Sequence, residues 1–544
     1  MKSRPRINGL MSRRDVNVGL ASISALLAST LGSARGAESK PRYGGTIIIA
    51  TESEPTTLNP FINNGSETVA VANHIYEKLV ESDLNFDIIP AFAESWQISS
   101  DGLTYTFKVA KGQKWSDGTP GTSKDIAWSL MEASRNFHPR LSAIFNANLE
   151  RVDTPDDLTA VVRLRAPFAP LLNIMASGGA PVILPAHLYA GRDFKSNPAN
   201  LNPVGSGPYK VESWTKGSYI SLVKNQDYHV KGAEPYLDKV IFQFLPDVNS
   251  RWIALENGEV DFLNYYMVPL EQVARGSKNA NLVLDSHGGE GVGALSGLIL
   301  NTRTGPLAKR EVRQAIAYAM DRDAIAKRAF LGYAQVGRSV MHSGLKQYFD
   351  PNVPAYQTDI GKANALLDAA GFPRGADGTR FSLRVTWATG RDVETSVAEM
   401  LQDQLGKVGI KLVLQRFDRA TAIKLIYLDW NYDMALWVLA TGPEPTMQVT
   451  RSYVTDNIKP APFTNASGYS NPETDNLFHT EASIVDVGKR KAAWYRIQEI
   501  LMTDLPFVPL IEMPVTNFYS AKFVDVITKP YVNSPDVNRA WLKP

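Results

Sequence analysis

Two polar side chains follow an apolar run in the second half of the chain. Residues 431–438 (NYDMALWV) are typical of a buried strand, and they lead into LATGPEPT at 439–446. This segment sets one hydroxyl, Thr441, and one carboxylate, Glu444, among stiff prolines. Ligands of open α/β sheets bind beyond the carboxyl ends of strands. We therefore predict that this loop borders a binding cleft.

Motifs for catalysis or metal binding are missing from the sequence. The seven histidines are scattered, with no pair at helical spacing, and the chain has no cysteine. We therefore expect no transition-metal site and no cofactor. No Walker-type loop or G-x-S-x-G elbow occurs, and SGLK at 343–346 matches S-x-x-K without the partner motifs of serine acylases. A secreted hydrolase or transferase acting on cell-wall peptides stays open as an alternative function.

Aromatic residues are abundant, with 10 Trp, 21 Tyr and 21 Phe. Most of them must pack in cores, but five lie at the edges of predicted loops: Phe61, Tyr265, Tyr266, Trp387 and Trp437. Aromatic walls with a few polar anchors suit the reversible capture of a small ligand. Core packing is the competing interpretation for each of these residues.

Hydrophobic periodicity predicts an α/β protein with two lobes. The first part holds predicted strands at 43–50 and 103–109 and a helix over 122–135, capped at Thr122 or Ser123 with Asp125 in its first turn. Beyond residue 300 we predict a βαβ-type series with a mainly parallel sheet. Its elements are a helix over 309–330, a strand at 381–388, a helix over 394–407 and strands at 410–416 and 432–439. Short strands near 510 suggest that the chain then returns to the first lobe.

The first 37 residues are typical of a secretory signal peptide, because a basic start is followed by an apolar run and small residues. A retained membrane anchor is the alternative. SRRDVNV at 12–18 is similar to a twin-arginine signal, although Val16 and Asn17 stand where that signal prefers Phe and Leu. The export route and the start at Met1 or Met11 both stay open.

Removal of this segment leaves 51 basic and 54 acidic residues, a net charge of about −3. We therefore expect no nucleic-acid partner. Without cysteine the chain can form neither a disulfide nor a lipid-modified cysteine anchor. These features predict a soluble, unanchored protein of the periplasm, and we expect a monomer.

Several motifs follow one another along the chain, among them YGGTIIIATESEPTTLNPF, ESWQISSDGLTYTFKVAKGQKWSDGTP, PVGSGPYKVESW, LNTRTGPLAKREVRQAIAYAMDRDAI and YSNPETDNLF. In this order they resemble the family 5 solute-binding proteins of ABC importers, which include dipeptide-, oligopeptide- and nickel-binding proteins. The resemblance covers residues 41 to about 530. It implies a fold like that of type II periplasmic binding proteins. The implied parts are a lobe I core at 43–76, 208–300 and 512–544, an inserted subdomain at 77–207 and a lobe II at 301–511.

The resemblance also implies a function. A peptide or peptide-like solute is enclosed between the lobes and delivered to an ABC permease in the inner membrane. An opine, an oligosaccharide or a metallophore complex is the alternative ligand, and a sensory or chaperone-like receptor is a further alternative on the same fold. The protein is not expected to be an enzyme.

Site residues follow from the same resemblance. Phe61 and Asn63 lie in TTLNPFINN after the first strand, and Ser177 and Gly178 lie in MASGGAPV, similar to segments that border the cleft in relatives. Trp387 and Arg391 in TWATGRDVE match a loop that holds a peptide carboxylate, for which the Arg391 fork is suited.

The loop that carries an amine-binding aspartate in peptide-binding relatives matches the segment around Trp437. Ala440 or Thr441 stands at the aspartate's position, so the amine clamp is missing. Glu444 is a candidate replacement, unless its prolines turn it outward. We therefore expect a ligand whose charge pattern differs from that of a simple peptide. We also expect Thr441→Asp to change ligand preference more than stability.

Overall fold

The structure, a computed structural model, describes residues 40–229, 234–389, 392–531 and 537–544. The predicted signal peptide and Arg391 lie outside the described residues. None of the described helices combines the length and the apolar character that crossing a membrane requires.

Seven strands form the first sheet, and their cores are continuous apolar runs such as TIIIAT at Thr46–Thr51. That strand lies near the centre, parallel to both of its neighbours, while the other pairs are antiparallel. In spatial order the strands are Leu282–Asp285, Asn517–Ser520, Phe262–Leu263, Thr46–Thr51, Lys239–Phe244, Tyr219–Lys224 and Tyr209–Thr215.

Six strands form the second sheet. In spatial order they are Gln335–Val336, Phe507–Glu512, Ala294–Leu300, Met434–Ala440, Phe381–Ala388 and Ile410–Phe417. The chain therefore passes from the first sheet to the second between Asp285 and Ala294, and back between Glu512 and Asn517. The domain boundaries drawn from the sequence stay a prediction.

A four-stranded antiparallel sheet is formed by residues that lie, in sequence, between the strands Thr46–Thr51 and Tyr209–Thr215 of the seven-stranded sheet. Its strands in spatial order are Ala93–Ile98, Thr104–Val109, Thr159–Leu164 and Leu149–Asp156. Two-stranded pairs join Val80–Ser82 to Ile88–Pro90 and Phe523–Val524 to Trp541–Leu542.

Helices cover these sheets. The α-helices are Ser66–Ile75, Ser123–Trp128, Arg135–Phe137, Ser142–Asn148, Leu171–Ala176, Ala186–Tyr189, Val248–Asn257, Val273–Gly276, Arg310–Ala319, Arg322–Arg328, Ile360–Ala369, Asp392–Gly406, Arg419–Ile423, Pro445–Gln448, Thr450–Tyr453, Pro472–Thr480 and Val487–Asp504. Short 3₁₀ turns are Pro198–Asn200, Tyr265–Met267, Leu270–Gln272, Pro306–Ala308, Thr455–Asn457, Glu481–Ser483 and Val537–Arg539, and π-helical turns are Ser129–Ser134 and Lys424–Leu428. The α/β class is confirmed.

Local patterns predicted single elements well. The strand Thr104–Val109 buries alternate residues, and Gly102 before it has the positive φ of its turn. The helix from Ser123 begins with a box in which the Asp125 carboxylate accepts from the Thr122 N–H at 2.7 Å. These features depend on neighbours in sequence, which periodicity and capping rules describe directly.

Two predictions about the second lobe are wrong. The sheet is mixed, since parallel pairing is confined to Phe381–Ala388 and its two neighbours among the described strands. The antiparallel strands Ala294–Leu300 and Phe507–Glu512 lie next to the places where the chain passes from one sheet to the other. Their apolar sequences predict buried strands, but they do not indicate which strand each one pairs with or in which direction. The helix expected over 309–330 is two helices, because Met320 is extended and Asp321 caps the second one by accepting from the Ala324 N–H at 2.8 Å.

Separate apolar clusters support the three larger sheets. The largest surrounds the six-stranded sheet and includes the predicted stripe of Val312, Ala315, Ile316, Ala319 and Met320. A second cluster packs on the four-stranded sheet, and Met447 and Ala482, from the part of the chain that forms the six-stranded sheet, pack against it. The cores thus meet at one boundary, where the cavity described below opens.

The turn GSGPY at 205–209 is required by a close approach of backbones. A side chain on Gly205 would place its Cβ 1.9 Å from the Ile75 carbonyl oxygen, and one on Gly207 would lie 2.7 Å from the carbonyls of His74 and Ile75. The two glycines therefore allow this turn to pack on the end of the helix Ser66–Ile75.

Glu77, next to this turn, has a buried carboxyl group. Burial raises its pKa to about 7, although hydrogen bonds from Gln113 and Ser206 oppose the rise. A raised pKa means that the folded state holds its proton longer than the unfolded state. Stability should therefore fall as pH rises from about 4.5 to about 7. We expect Glu77 to contribute a loss of about 3 kcal/mol across this window.

Urea unfolding of the protein and of Glu77→Gln at several pH values measures this effect. The amide cannot ionise, so the free energy of unfolding of the variant should fall less over the same window. Parallel pH profiles for the two proteins would show that Glu77 ionises normally in the fold.

Candidate functional site

A cavity of about 630 Å³ opens between the six-stranded sheet and the part of the chain that holds the other two large sheets. One wall is formed by Asn64, Ser66, Val69, Arg140, Leu141, Ser177, Gly178, Gly179, Tyr266 and Tyr531. The other wall is formed by Gly291, Val292, Arg419, Ala440, Gly442, Pro443, Glu444, Met447 and Gln448. This volume lies within the range of about 300–1,000 Å³ that is usual for small-molecule sites.

Strand ends of the six-stranded sheet supply the second wall. Phe381–Ala388 runs parallel to both Ile410–Phe417 and Met434–Ala440, so the carboxyl ends of all three strands meet at one edge. Arg419 follows one of these ends, and the loop from Ala440 to Glu444 follows another. The predicted position of LATGPEPT beside a cleft agrees with this geometry.

Ser177, Gly178 and Tyr266 were predicted from the sequence, and the structure brings them together on the first wall. A Cβ on Gly178 would lie 2.9 Å from the Tyr531 ring, so this glycine allows the ring to pack against the backbone. The Ser177 hydroxyl donates to the Ile174 carbonyl at 2.9 Å, so it is already engaged within the protein. Tyr266 is an exposed aromatic side chain and offers a broad apolar surface on this wall.

A neutral histidine positions the backbone of the first wall. Burial lowers the pKa of His138 to about 4. Its Nδ1 accepts from the N–H groups of Arg140 and Leu141 at 3.3 and 3.2 Å, which leaves Nε2–H to donate to the Gly179 carbonyl at 3.2 Å. The imidazole thus ties Arg140 to the glycine segment.

Phe61 and Asn63 are not brought to the cavity. Phe61 is buried and packs edge-on against His138 and Phe194, so it supports the first wall from behind. Asn63 holds its own turn, because its side-chain oxygen accepts from the Gly65 N–H at 2.8 Å. Both residues follow the first strand as predicted, but Phe61 is turned into the core and Asn63 is held in its own partly exposed turn.

The two predicted tryptophans lie behind the second wall. Trp437 is buried and packs edge-on against Tyr427, with the Arg419 guanidinium 5.6 Å from its ring centre. Trp387 is buried too, and its indole N–H has no hydrogen-bond partner among the described residues. Trp437 therefore supports a lining residue, whereas Trp387 packs in the core.

Thr441 turns its side chain away from the cavity. Its hydroxyl donates to the Gly293 carbonyl at 2.9 Å and accepts from the His342 N–H at 3.2 Å. The residue is 2% exposed, and its neighbours Ala440 and Gly442 line the cavity in its place. The sequence locates this loop correctly, but the direction of the side chain alters the expected effect of Thr441→Asp.

Glu444 neither faces a ligand amine nor points outward. It is completely buried, and its carboxylate pairs with Arg490 at 2.6 Å. Arg490 also pairs with the buried Glu481 at 2.9 Å and donates to the Tyr348 hydroxyl. Asn173 donates to Glu444 at 3.0 Å from the opposite side of the cleft. Glu444 therefore forms part of the cavity wall with its charge already compensated.

Burial and charge pairing have opposing effects on the pKa values of Arg490 and Glu481. Burial lowers the pKa of Arg490, but the charges of Glu444 and Glu481 outweigh it and raise that pKa above its usual range. Burial also raises the pKa of Glu481, and the positive charge of Arg490 opposes the rise. Glu444 and Glu481 thus share one guanidinium as their countercharge.

Several lining residues were missed by sequence reasoning, including Arg140, Arg419, Gln448 and Tyr531. Arg419 had a usable signal, because it follows a predicted strand at the edge where ligands bind. Arg140 had none, since its segment FHPRL lies far from any predicted strand end.

A comparison of the sequence with known families matches residues 87–460, more than half of the chain, to "Bacterial extracellular solute-binding proteins, family 5 Middle". Among curated proteins the chain is similar to the glutathione-binding protein GsiB of Shigella dysenteriae, with 26% identity over 517 residues. That match covers 92% of this chain and 94% of the relative.

Solved structures of the same kind superpose over nearly the whole molecule. The ABC transporter substrate-binding protein CtaP of Listeria monocytogenes has a TM-score of 0.80 at 27% identity, over 92% of this chain and 100% of its own. The periplasmic binding protein DppA of Helicobacter pylori, in complex with the peptide STSA, has a TM-score of 0.71 at 27% identity, covering 92% and 99%. The fold is that of type II periplasmic binding proteins, as predicted.

Proposed function

We propose, given that this chain belongs to the family 5 bacterial extracellular solute-binding proteins, that it captures a peptide-like solute in the interlobe cavity and delivers it to an ABC permease. The proposed site of action is the periplasm, after removal of the segment 1–37. In this role the protein is a carrier that binds its solute and releases it unchanged.

The cavity is the observation that carries this proposal. It lies at the carboxyl ends of strands, between two walls from different sheets, and combines Tyr266 and Tyr531 with polar groups. The N–H groups of Gly178 and Gly179 form no hydrogen bond with the described residues, so they are available to a peptide carbonyl. The relatives GsiB and DppA, which bind glutathione and a peptide, support the same ligand class.

A thermal-shift and calorimetry panel tests the proposed function. It contains glutathione, unblocked and N-acetylated di- and tripeptides, opines and oligosaccharides. We expect glutathione or a blocked peptide to raise the melting temperature. We expect unblocked neutral peptides to bind weakly, because the lining carboxylate Glu444 already pairs with Arg490.

Stabilisation by oligosaccharides or opines alone would replace the peptide-like ligand with those solutes. Mass spectrometry of bound and released probes provides the control for catalysis, since turnover of any peptide or glycan would contradict the carrier function. Strong binding of unblocked neutral peptides alone would contradict the expected lack of an amine clamp.

A further inference from the structure

Three arginines are grouped at the cavity. Arg140 lines the first wall, and Arg419 lines the second. Arg451 lies beside them, because the helical residues Pro445–Gln448 continue through Val449 into Thr450–Tyr453. It is three and four positions after the lining residues Gln448 and Met447, the spacing that brings side chains to one helix face. All three arginines are exposed.

The electrostatics of neighbouring groups support this grouping. Although Arg451 is exposed, the protein around it removes part of its hydration and so lowers its pKa, and the positive charge of Arg140 lowers that pKa further. Burial raises the pKa of the Tyr427 hydroxyl, while Arg451 and Arg419 both act in the opposite direction. Arg451 therefore lies close enough to Arg140 for their charges to interact, and both Arg451 and Arg419 lie near the Tyr427 hydroxyl.

These arginines lack the carboxylate partners that the buried Arg490 has. None of them forms an ion pair with a carboxylate of the described residues. Asp418, next to Arg419, caps its own helix by accepting from the Thr421 N–H at 3.0 Å. Glu444, the carboxylate among the described lining residues, already pairs with Arg490. The cavity is consequently positive on both walls.

Like charges on facing walls disfavour an empty, closed cavity. Two positive charges repel each other, and the repulsion grows as the walls approach and displace the water between them. An oxyanion between them converts the repulsion into attraction, and the guanidinium fork binds such groups through two parallel hydrogen bonds. A cationic ligand would add to the repulsion.

We propose that this cavity selects small solutes with at least two oxyanion groups, one held by Arg140 and the other by Arg419 with Arg451. This inference rests on the proposed function and specifies its ligand class. An amide-linked backbone fits between the walls, and each end or side chain of the ligand that meets an arginine carries a negative charge. Binding then joins the two walls through the ligand.

Calorimetry with matched probes tests the inference. One probe is an N-acetylated, C-terminally amidated tripeptide with two glutamates, and its twin has glutamine at both positions. Tricarballylate and a sugar bisphosphate serve as non-peptide carboxylate and phosphate probes. We expect the glutamate peptide to bind at least roughly tenfold more tightly than its twin, and this preference to shrink at high salt.

Variants assign the preference to the arginines. Arg140→Gln and Arg419→Gln should each reduce the affinity for the glutamate peptide by roughly tenfold or more, with little change for the glutamine twin. Arg192→Gln, an exposed arginine outside the cavity lining, is the matched control and should leave both affinities unchanged. Melting temperatures of the free variants should stay at or above that of the parent, because repulsion is removed.

The outcomes separate this inference from the proposed function. Equal binding of the two peptides, or unchanged affinity in both cavity variants, overturns the inference and leaves the peptide-like ligand in place. Arginine-dependent binding of tricarballylate or the bisphosphate without any peptide binding supports the inference and overturns the peptide-like ligand. Failure of every anionic probe to bind overturns the inference itself.

Discussion

Arg490→Met is expected to lower the free energy of unfolding by about 3–5 kcal/mol at neutral pH, because it leaves two buried carboxylates without their shared cation. Glu444 and Glu481 are completely buried, and both pair with this guanidinium. A buried charge without a partner costs far more than an exposed pair contributes. Urea unfolding followed by circular dichroism measures the change.

The effect should depend on pH. Burial raises the pKa of the Glu481 carboxyl group, and the variant lacks the positive charge of Arg490 that opposes that rise. The unfolded state then binds fewer protons, so the stability of the variant falls as pH rises. The difference between parent and variant should therefore be smaller at pH 5 than at pH 7.5.

Arg496→Met on the same helix is the matched control. Arg496 pairs with Glu473 and Glu499 at the surface, so its loss should change stability little. Replacing both glutamates by glutamine alongside Arg490→Met should restore part of the stability, since neutral amides need no cation. Equal losses in Arg490→Met and Arg496→Met would contradict the proposed contribution of burial.

Thr441→Asp is expected to lower the free energy of unfolding by about 3 kcal/mol at neutral pH. A carboxylate at this buried position can accept from the His342 N–H but faces the Gly293 carbonyl without a proton to donate. The loss should become smaller in acid, because a protonated aspartic acid can again donate to Gly293. Urea unfolding at two pH values measures both effects.

Thr441→Ser is the control for this position. It keeps the hydroxyl and removes one methyl group, at a cost of about 1 kcal/mol. An unchanged stability in Thr441→Asp together with an altered ligand profile would show that the side chain faces the cavity. That outcome would restore the expectation drawn from the sequence alone.

Strand alternation, helix capping and helical apolar stripes could be predicted from the sequence, because each depends only on residues that are close together along the chain. The alternation in Thr104–Val109, the box at Thr122 and Asp125, and the stripe on Arg310–Ala319 depend on residues within one or two turns. The position of a loop at the end of Met434–Ala440 follows from the order of elements. The capping signal at Asp321 was present in the sequence as well, but the continuous apolar stripe outweighed it.

The direction of each side chain was decided by tertiary structure. Glu444 and Arg490 are 46 positions apart, and Thr441 and Gly293 are 148 apart, so no local pattern describes either contact. Arg140 and Arg419 come from segments that only the folded chain brings to one cavity. The sequence by itself determined the family resemblance, the class of fold and the loop beside the cleft. Which charges are compensated within the protein and which face the cavity depends on long-range packing, because the partner of a charge is chosen by distance in space.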